Sequence, residues 1–257
     1  MRFYDLDIDV KNYAKRVMDA GYKCPADINS VSDFVKGLKT YNLWNNLICW
    51  PSRANQNAGA GTTVYSLGNI GIYNGTMVNS PTWQADGIVF TNTTQEVTRS
   101  GFDTPASPMS FGSVTSKSPT SAIMRTIMLG IYPQRYSNGD VQNTRSFDIR
   151  NNLNSNYLIW YPSVSTSFIF KLVSVESNLN ANGYANGQSI SPTLNVATVG
   201  WNDTTGVSTK LFSVGNANDA TITYAFVYIF TRNISASEQL NFFNVYKSTI
   251  GKGLGLP

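Results

Sequence analysis

Residues 220–251 constrain the fold more than any other stretch of the chain. Thr221, Thr223, Ala225, Val227 and Ile229 alternate with Ile222, Tyr224, Phe226, Tyr228 and Phe230, so an extended chain here has two apolar or amphipathic faces. A strand covered on both sides requires that pattern, which predicts an interior strand of a sheet. Immediately afterwards Ser235 and Glu238 have the S-x-x-E spacing of a capping box, in which each side chain bonds the other's free backbone N–H. Leu240, Phe243, Tyr246 and Ile250 then recur at helical spacing until Gly251. A buried strand therefore runs straight into a short amphipathic helix.

The middle of the chain reads as strand and turn. Val64–Ile72, Ile88–Thr91, Ser121–Ile131, Ser146–Ile149, Tyr157–Tyr161, Ser167–Val175, Leu194–Val199, Lys210–Val214 and Thr221–Thr231 are the predicted strands. Asn74-Gly75, Asn138-Gly139-Asp140 and Asn182-Gly183 are the turn signals between them. The Ser-, Thr- and Pro-rich text from Thr104 to Thr120 reads as a loop or irregular edge. No repeat of 20–50 residues is visible, which argues against a propeller or solenoid. Many short antiparallel strands closed by a two-sided one fit two packed sheets.

The N-terminal text differs. Val10, Tyr13, Ala14, Val17 and Met18 follow helical spacing from Asp9 to a stop at Gly21. A second helix is expected from Asn29 or Ser30, with apolar positions Val31, Phe34, Val35, Leu38, Leu43, Leu47 and Ile48 and a break between Gly37 and Asn42. Pro25 keeps the two apart. Residues 1–50 are thus expected to form a helical arm, 51–62 a linker or long loop rich in Gly, Asn and Ser, and 63–257 the sandwich. Two arrangements of the arm stay open: a projecting hairpin, or helices that join the sandwich's own core.

At the C-terminal strand, Arg232, the Ile234-Ser235 step, Glu238 and the closing helix, together with Trp83-Gln84-Ala85-Asp86-Gly87-Ile88-Val89-Phe90, the chain resembles concanavalin A-like lectin/glucanase domains of the LamG type. The resemblance spans roughly Gly68 to Gly251 and rests on loose motifs. It implies a mainly β, two-sheet antiparallel jelly-roll sandwich with an N-terminal helical arm and a short C-terminal helix. Helices ahead of such a sandwich also resemble the architecture of virion proteins of tailed bacteriophages. That implies a structural protein of capsid decoration or tail and fibre, found in the virion and made in the host cytoplasm. Its partners would be other virion proteins, host-surface glycan and further copies of itself. The rival expectation is a free carbohydrate-binding or carbohydrate-cleaving protein of the same superfamily.

Composition narrows the chemistry. The chain contains no histidine, which removes the commonest general base and zinc ligand together. Only Glu96, Glu176 and Glu238 supply glutamates, and the E-x-D-x-E strand motif of the superfamily's glucanases is absent, with Glu176 departing from it at both later positions. Two opposed carboxylates are what glycoside hydrolysis needs, so the expectation is no enzyme. The formal charge of +4 is spread along the chain, with no Lys/Arg cluster to track phosphates, so nucleic acid is not an expected partner. The opening MRFYDLDIDV has no apolar core of the export kind and the longest apolar run is far too short for a bilayer span, so neither export signal nor membrane insertion is expected. Gly251-Lys252-Gly253-Leu254-Gly255 lacks the strand-to-helix context of a phosphate loop and reads as a flexible or docking tail. Cys24 and Cys49 are either bridged or, as is commoner in a reducing cytosol, two thiols.

Sugars are held by aromatic faces and by planar amides and carboxylates. Trp201, Asn202 and Asp203, helped by Tyr184 and Asn186, form the best candidate site, and Tyr132 to Asn138 a second. Against this, Trp201 can cap the core while its polar neighbours turn the chain; Trp44, Trp50, Trp83 and Trp160 are read as packing residues. No cofactor is expected. Calcium stays open through Asn138-Gly139-Asp140, Asn202-Asp203 and Asn216 to Asp219, each of which is also an ordinary turn.

Overall fold

The structure, a computed structural model, describes residues 5–92, 94–99, 109–116, 123–128, 134–137, 147–151, 156–160, 166–177, 180–191, 210–215 and 221–257. It is a mainly β, antiparallel sandwich with two N-terminal helices and one C-terminal helix. The helices are α1 (Ile8–Asp19), α2 (Ile28–Thr40) and α3 (Ala236–Ser248). The strands in chain order are β1 (Leu47–Pro51), β2 (Thr63–Val64), β3 (Leu67–Gly68), β4 (Gly75–Val78), β5 (Thr82–Gln84), β6 (Gly87–Phe90), β7 (Glu96–Thr98), β8 (Met109–Ser116) and β9 (Ile123–Met128). They continue with β10 (Gln134–Ser137), β11 (Phe147–Asn151), β12 (Asn156–Trp160), β13 (Phe168–Ser177), β14 (Asn180–Ala185), β15 (Gln188–Ile190), β16 (Lys210–Gly215) and β17 (Ile222–Phe230). The larger sheet runs β15-β14-β13-β8-β17-β1-β3, with β6 also on β17 and β5 on β6; the second runs β2-β4-β7-β16-β9, and β10-β11-β12 form a separate meander. None of the described helices is long and apolar enough to cross a membrane.

The two-sided strand is β17, flanked by β8 along one edge and by β1 and then β6 along the other. Simple alternation would place Ile222, Tyr224, Phe226, Tyr228 and Phe230 on one face. A register shift between Tyr224 and Phe226 changes this. Ile222, Tyr224, Val227 and Ile229 pack toward the second sheet with Val64, Met77 and Val97, whereas Phe226, Tyr228 and Phe230 pack toward the helices with Phe34, Phe242 and Tyr246. One extra residue flips every later side chain, so the bulge sends the three large rings to the helical side.

The helices join that core. Val10, Tyr13 and Val17 of α1, Val31, Phe34, Val35 and Leu38 of α2, and Phe242, Phe243 and Tyr246 of α3 share one buried cluster with the larger sheet. Met18, expected on the apolar face, is 38% exposed. The second helix ends at Thr40, inside the break expected between Gly37 and Asn42, where Asn42 takes a φ of 57°; the segment beyond it differs from the helical reading, with a short 3-10 turn at Trp44–Asn46 and Leu47 and Ile48 entering β1. All five residues of β1 are buried between β17 and β3, so the apolar run that continues the helical pattern is a core strand. The largest difference lies at β8. Within the small-residue text expected to be a loop or irregular edge, Met109–Ser116 form an eight-residue strand between β13 and β17, with seven of its residues buried.

The capping box forms as its spacing predicts. Ser235 Oγ accepts from the Glu238 N–H, and Glu238 Oε2 accepts from the Ser235 N–H at 2.8 Å. Arg232 adds a fork, with Nη2 donating to Glu238 Oε1 at 2.6 Å and Nη1 to Oε2 at 3.2 Å. The guanidinium, aided by the Ser235 bonds, holds the Glu238 carboxyl down to about 2. A depressed carboxyl stabilises the fold above its unfolded pKa, near 4.3, and that stability is lost as pH falls through the folded value. Glu238→Gln is expected to cost about 1–2 kcal/mol at pH 7, after allowance for solvent screening, and to flatten the loss of stability between about pH 5 and 2. Urea melts across that range check it; parallel profiles for the two proteins would count against the pairing.

Candidate binding surface

The loop after β1 ties the N-terminal helices, the β5–β6 hairpin and the C-terminus together. Asn57, 1% exposed, donates through Nδ2 to the carbonyls of Pro51 and Tyr65 and accepts at Oδ1 from the Tyr65 and Ala58 amides. Gln56 Nε2 donates to Asp27 Oδ2 and to the Ile250 carbonyl, and the Gln56 carbonyl accepts from Tyr13 Oη. The Gly-, Asn- and Ser-rich text is thus a packed loop whose polar side chains satisfy buried backbone groups.

This loop presents Gly61 between two aromatic residues. Its φ is +67°, and a Cβ there would lie 2.0 Å from Tyr22 Oη, so both the backbone and the close approach require glycine. The Gly61 carbonyl accepts from the indole Nε1 of Trp83 at 3.0 Å. Trp83 and Tyr22 are both half-buried, packed on opposite clusters of the core while keeping part of each ring at the surface. Tyr22 is braced edge-to-face by Tyr65 at 6.3 Å between centroids. Trp83 is fixed through its N–H and by its pairing with Ile88 across the hairpin. Around it Thr82, Gln84, Ala85 and Asp86 are exposed, the Asp86 side chain to 57%. The Asp86 carboxylate lies 3.8 Å from Arg53 Nη2. An aromatic ring held in place, with an amide and a carboxylate alongside, can stack on a ligand face and hydrogen-bond its hydroxyls.

Of the residues selected from sequence, Tyr184 and Asn186 lie away from this surface. Trp201, Asn202 and Asp203 are outside the described residues, as are the three candidate calcium turns. Tyr184 is 5% exposed and packs in the cluster beneath α3, so its ring is a core residue. Asn186 is 6% exposed and makes the β14–β15 turn with φ 48°, its Oδ1 accepting from the Phe170 amide and its own N–H donating to the Phe170 carbonyl. Both therefore serve packing and turn formation, a correction to their assignment as sugar contacts. Gln134–Ser137 of the second candidate form β10. Trp44 and Trp50 are buried as expected, while Trp83, also read as packing, keeps an exposed part. Cys24 and Cys49 are free thiols. Among the described residues no group of three or more Cys, Asp or Glu gathers to hold a metal. The tail docks: Leu254 is 2% exposed in the helical cluster.

No protein-family model matches the chain, and no curated protein matches it in sequence. Its fold is similar to that of a mutant of Trypanosoma rangeli sialidase displaying trans-sialidase activity, with a TM-score of 0.53 and 11% identity over 88% of this chain and 40% of that one. It is equally similar to the binding domain of botulinum neurotoxin serotype G, with a TM-score of 0.53 and 13% identity over 78% of this chain and 51% of that one. The chain thus spans about half or less of the length of these structures. At such identities the likeness is one of fold, an antiparallel β architecture shared by a catalytic and a binding protein.

Proposed function

We propose that this chain is a non-catalytic carbohydrate-binding β-sandwich whose contact surface is the Tyr22–Trp83 pair around Gly61. The observation that carries the reading is the Trp83 ring, fixed through its N–H by Gly61 yet partly open to solvent among Gln84, Asp86 and Thr82. An immobilised aromatic flanked by hydroxyl-bonding groups gives contact area at low entropic cost. The fold likeness to proteins named for sialidase activity and for a toxin's binding domain is compatible with this but does not choose a sugar. A glycan array is the test. The chain is expected to bind a restricted set of glycans, and Trp83→Ala to weaken that binding at least about tenfold while leaving the melting temperature within a few degrees. An unchanged profile would remove the site. Reproducible release of reducing ends from a polysaccharide would overturn the non-catalytic part.

The finer reading is a virion component of a tailed bacteriophage, in adhesion or decoration. Its support is architectural: a helical hairpin at the start of the chain and a lectin-like sandwich after it. Decoration requires an interface well above about 1,000 Å². The exposed large apolar side chains among the described residues, Ile8, Met18, Tyr41, Ile72 and Leu240, are divided among α1, the end of α2, the β3–β4 loop and α3. That distribution favours adhesion through the aromatic surface. The protein is expected in purified, DNA-filled particles at a copy number matching capsid or tail symmetry, and its absence from them would defeat the virion assignment.

A further inference from the structure

The guanidinium of Arg53, its side chain 12% exposed, holds two distant segments at once. Nη1 donates to the carbonyls of Ile250 at 3.0 Å and Lys252 at 2.9 Å. Nε donates to the Ala85 carbonyl at 3.0 Å, and Nη2 faces Asp86. Ala85 and Asp86 are the two residues that connect β5 to β6, so a single fork bridges the C-terminal segment and the hairpin carrying Trp83. The adjoining chain repeats the link: the Ala54 amide donates to the Gln84 carbonyl at 3.0 Å, and Gln56 Nε2 donates to the Ile250 carbonyl at 2.8 Å. The C-terminal segment is held from the other side by Leu254, buried in the helical cluster. A planar fork with separate N–H groups spans two carbonyl sets, which a lysine ammonium on a flexible stem does not reproduce.

We propose that Arg53 is a positioning residue for the Trp83 surface, and that the seating of residues 250–254 against it fixes the hairpin. A partner that displaces this segment would then loosen the Trp83 surface, which makes the C-terminal end a control point for binding. The consequence for carbohydrate rests on the function proposed above; the coupling between the two segments does not.

Hydrogen exchange on the full chain tests it. Arg53→Lys is expected to speed exchange about tenfold or more at both 84–88 and 250–254, with β17 amides unchanged. Leu254→Ala, a change in the tail that leaves Arg53 and the hairpin residues in place, is expected to raise exchange at 84–88 in parallel with 250–254. Faster exchange in the tail with an unaltered hairpin, in either variant, overturns the proposal. Should Leu254→Ala also accelerate β17, the lysine variant alone decides. Glycan binding is read in the same proteins: coupled exchange without any glycan binding removes the carbohydrate reading and keeps the coupling, whereas glycan binding unaffected by uncoupled exchange does the reverse.

Discussion

Replacing Gly112 by alanine is expected to destabilise the protein by about 3–5 kcal/mol and to lower its melting temperature by about 10 °C. A Cβ at this position would lie 1.9 Å from the Lys171 carbonyl oxygen and 2.5 Å from Tyr228 Oη. Neither can retreat cheaply. Lys171 belongs to β13, paired along the whole length of β8, and its carbonyl accepts from Tyr228 Oη at 2.5 Å across the top of Gly112. The Tyr228 ring is stacked on Phe170 at 5.4 Å and met edge-on by Phe242 at 4.8 Å. Alanine must therefore both spread β8 from β13 and break the buried tyrosine bond, and each costs on the order of 1–3 kcal/mol. Tyr228→Phe is expected to cost about 1–3 kcal/mol alone, and the double variant less than the sum, because both changes break the same bond. Urea melts of the three variants read this. An alanine variant within 1 kcal/mol of the parent would mean that residues 109–116 do not form the central strand described above.

The same feature explains why β8 was illegible. On the face toward the helices it carries Ser110, Gly112 and Val114, small because Tyr228 must cross above them and because Ser110 Oγ serves the Ile234 amide at 3.0 Å. A strand filled by its neighbours' side chains has the composition of a loop. β1 was hidden differently, since Leu43, Leu47 and Ile48 resume a helical spacing beyond the break that the left-handed Asn42 makes. The β17–α3 segment was legible because its information is local: two apolar faces, then two capping residues three apart. Even there the bulge that redistributes the rings depends on pairing with β8. Turn chemistry was ambiguous as well. Asn182-Gly183 lies within β14, and the actual turn is Asn186-Gly187. For the binding surface the limit was exposure: an aromatic beside an amide describes the buried Tyr184 and Asn186 as well as it describes Trp83 and Gln84. What separates them is Gly61, 22 residues from Trp83, whose carbonyl turns one indole outward and holds it.

Phe242→Ala is expected to be comparably damaging, at about 3–5 kcal/mol, for a reason that bears on how the chain is divided. Phe242 is fully buried on α3, and its ring meets Phe34 of α2 at 6.2 Å, Phe170 of β13 at 5.4 Å, and Phe226, Tyr228 and Phe230 of β17 at 6.4, 4.8 and 5.1 Å. Four of these five neighbours lie in the sheet and one in the N-terminal hairpin, so a cavity here is shared by segments from both ends of the chain. Its walls are themselves aromatic and interlocked, which limits collapse and keeps the cost high. Leu240→Ala on the same helix, 40% exposed, is expected to change stability by about 0.5 kcal/mol or less. The shape of the transition is the more informative readout. If α1 and α2 share one core with the sheet, tryptophan fluorescence, to which the buried Trp44 and Trp50 contribute, and far-ultraviolet circular dichroism should lose signal together in one shifted transition. If residues 1–50 behave as a separable arm, the helical signal should melt apart from the sheet, and Phe242→Ala should shift only one of two transitions. The aromatic contacts between Phe34, Phe226 and Phe242 favour the single transition, because burying those rings is what holds the hairpin against β17.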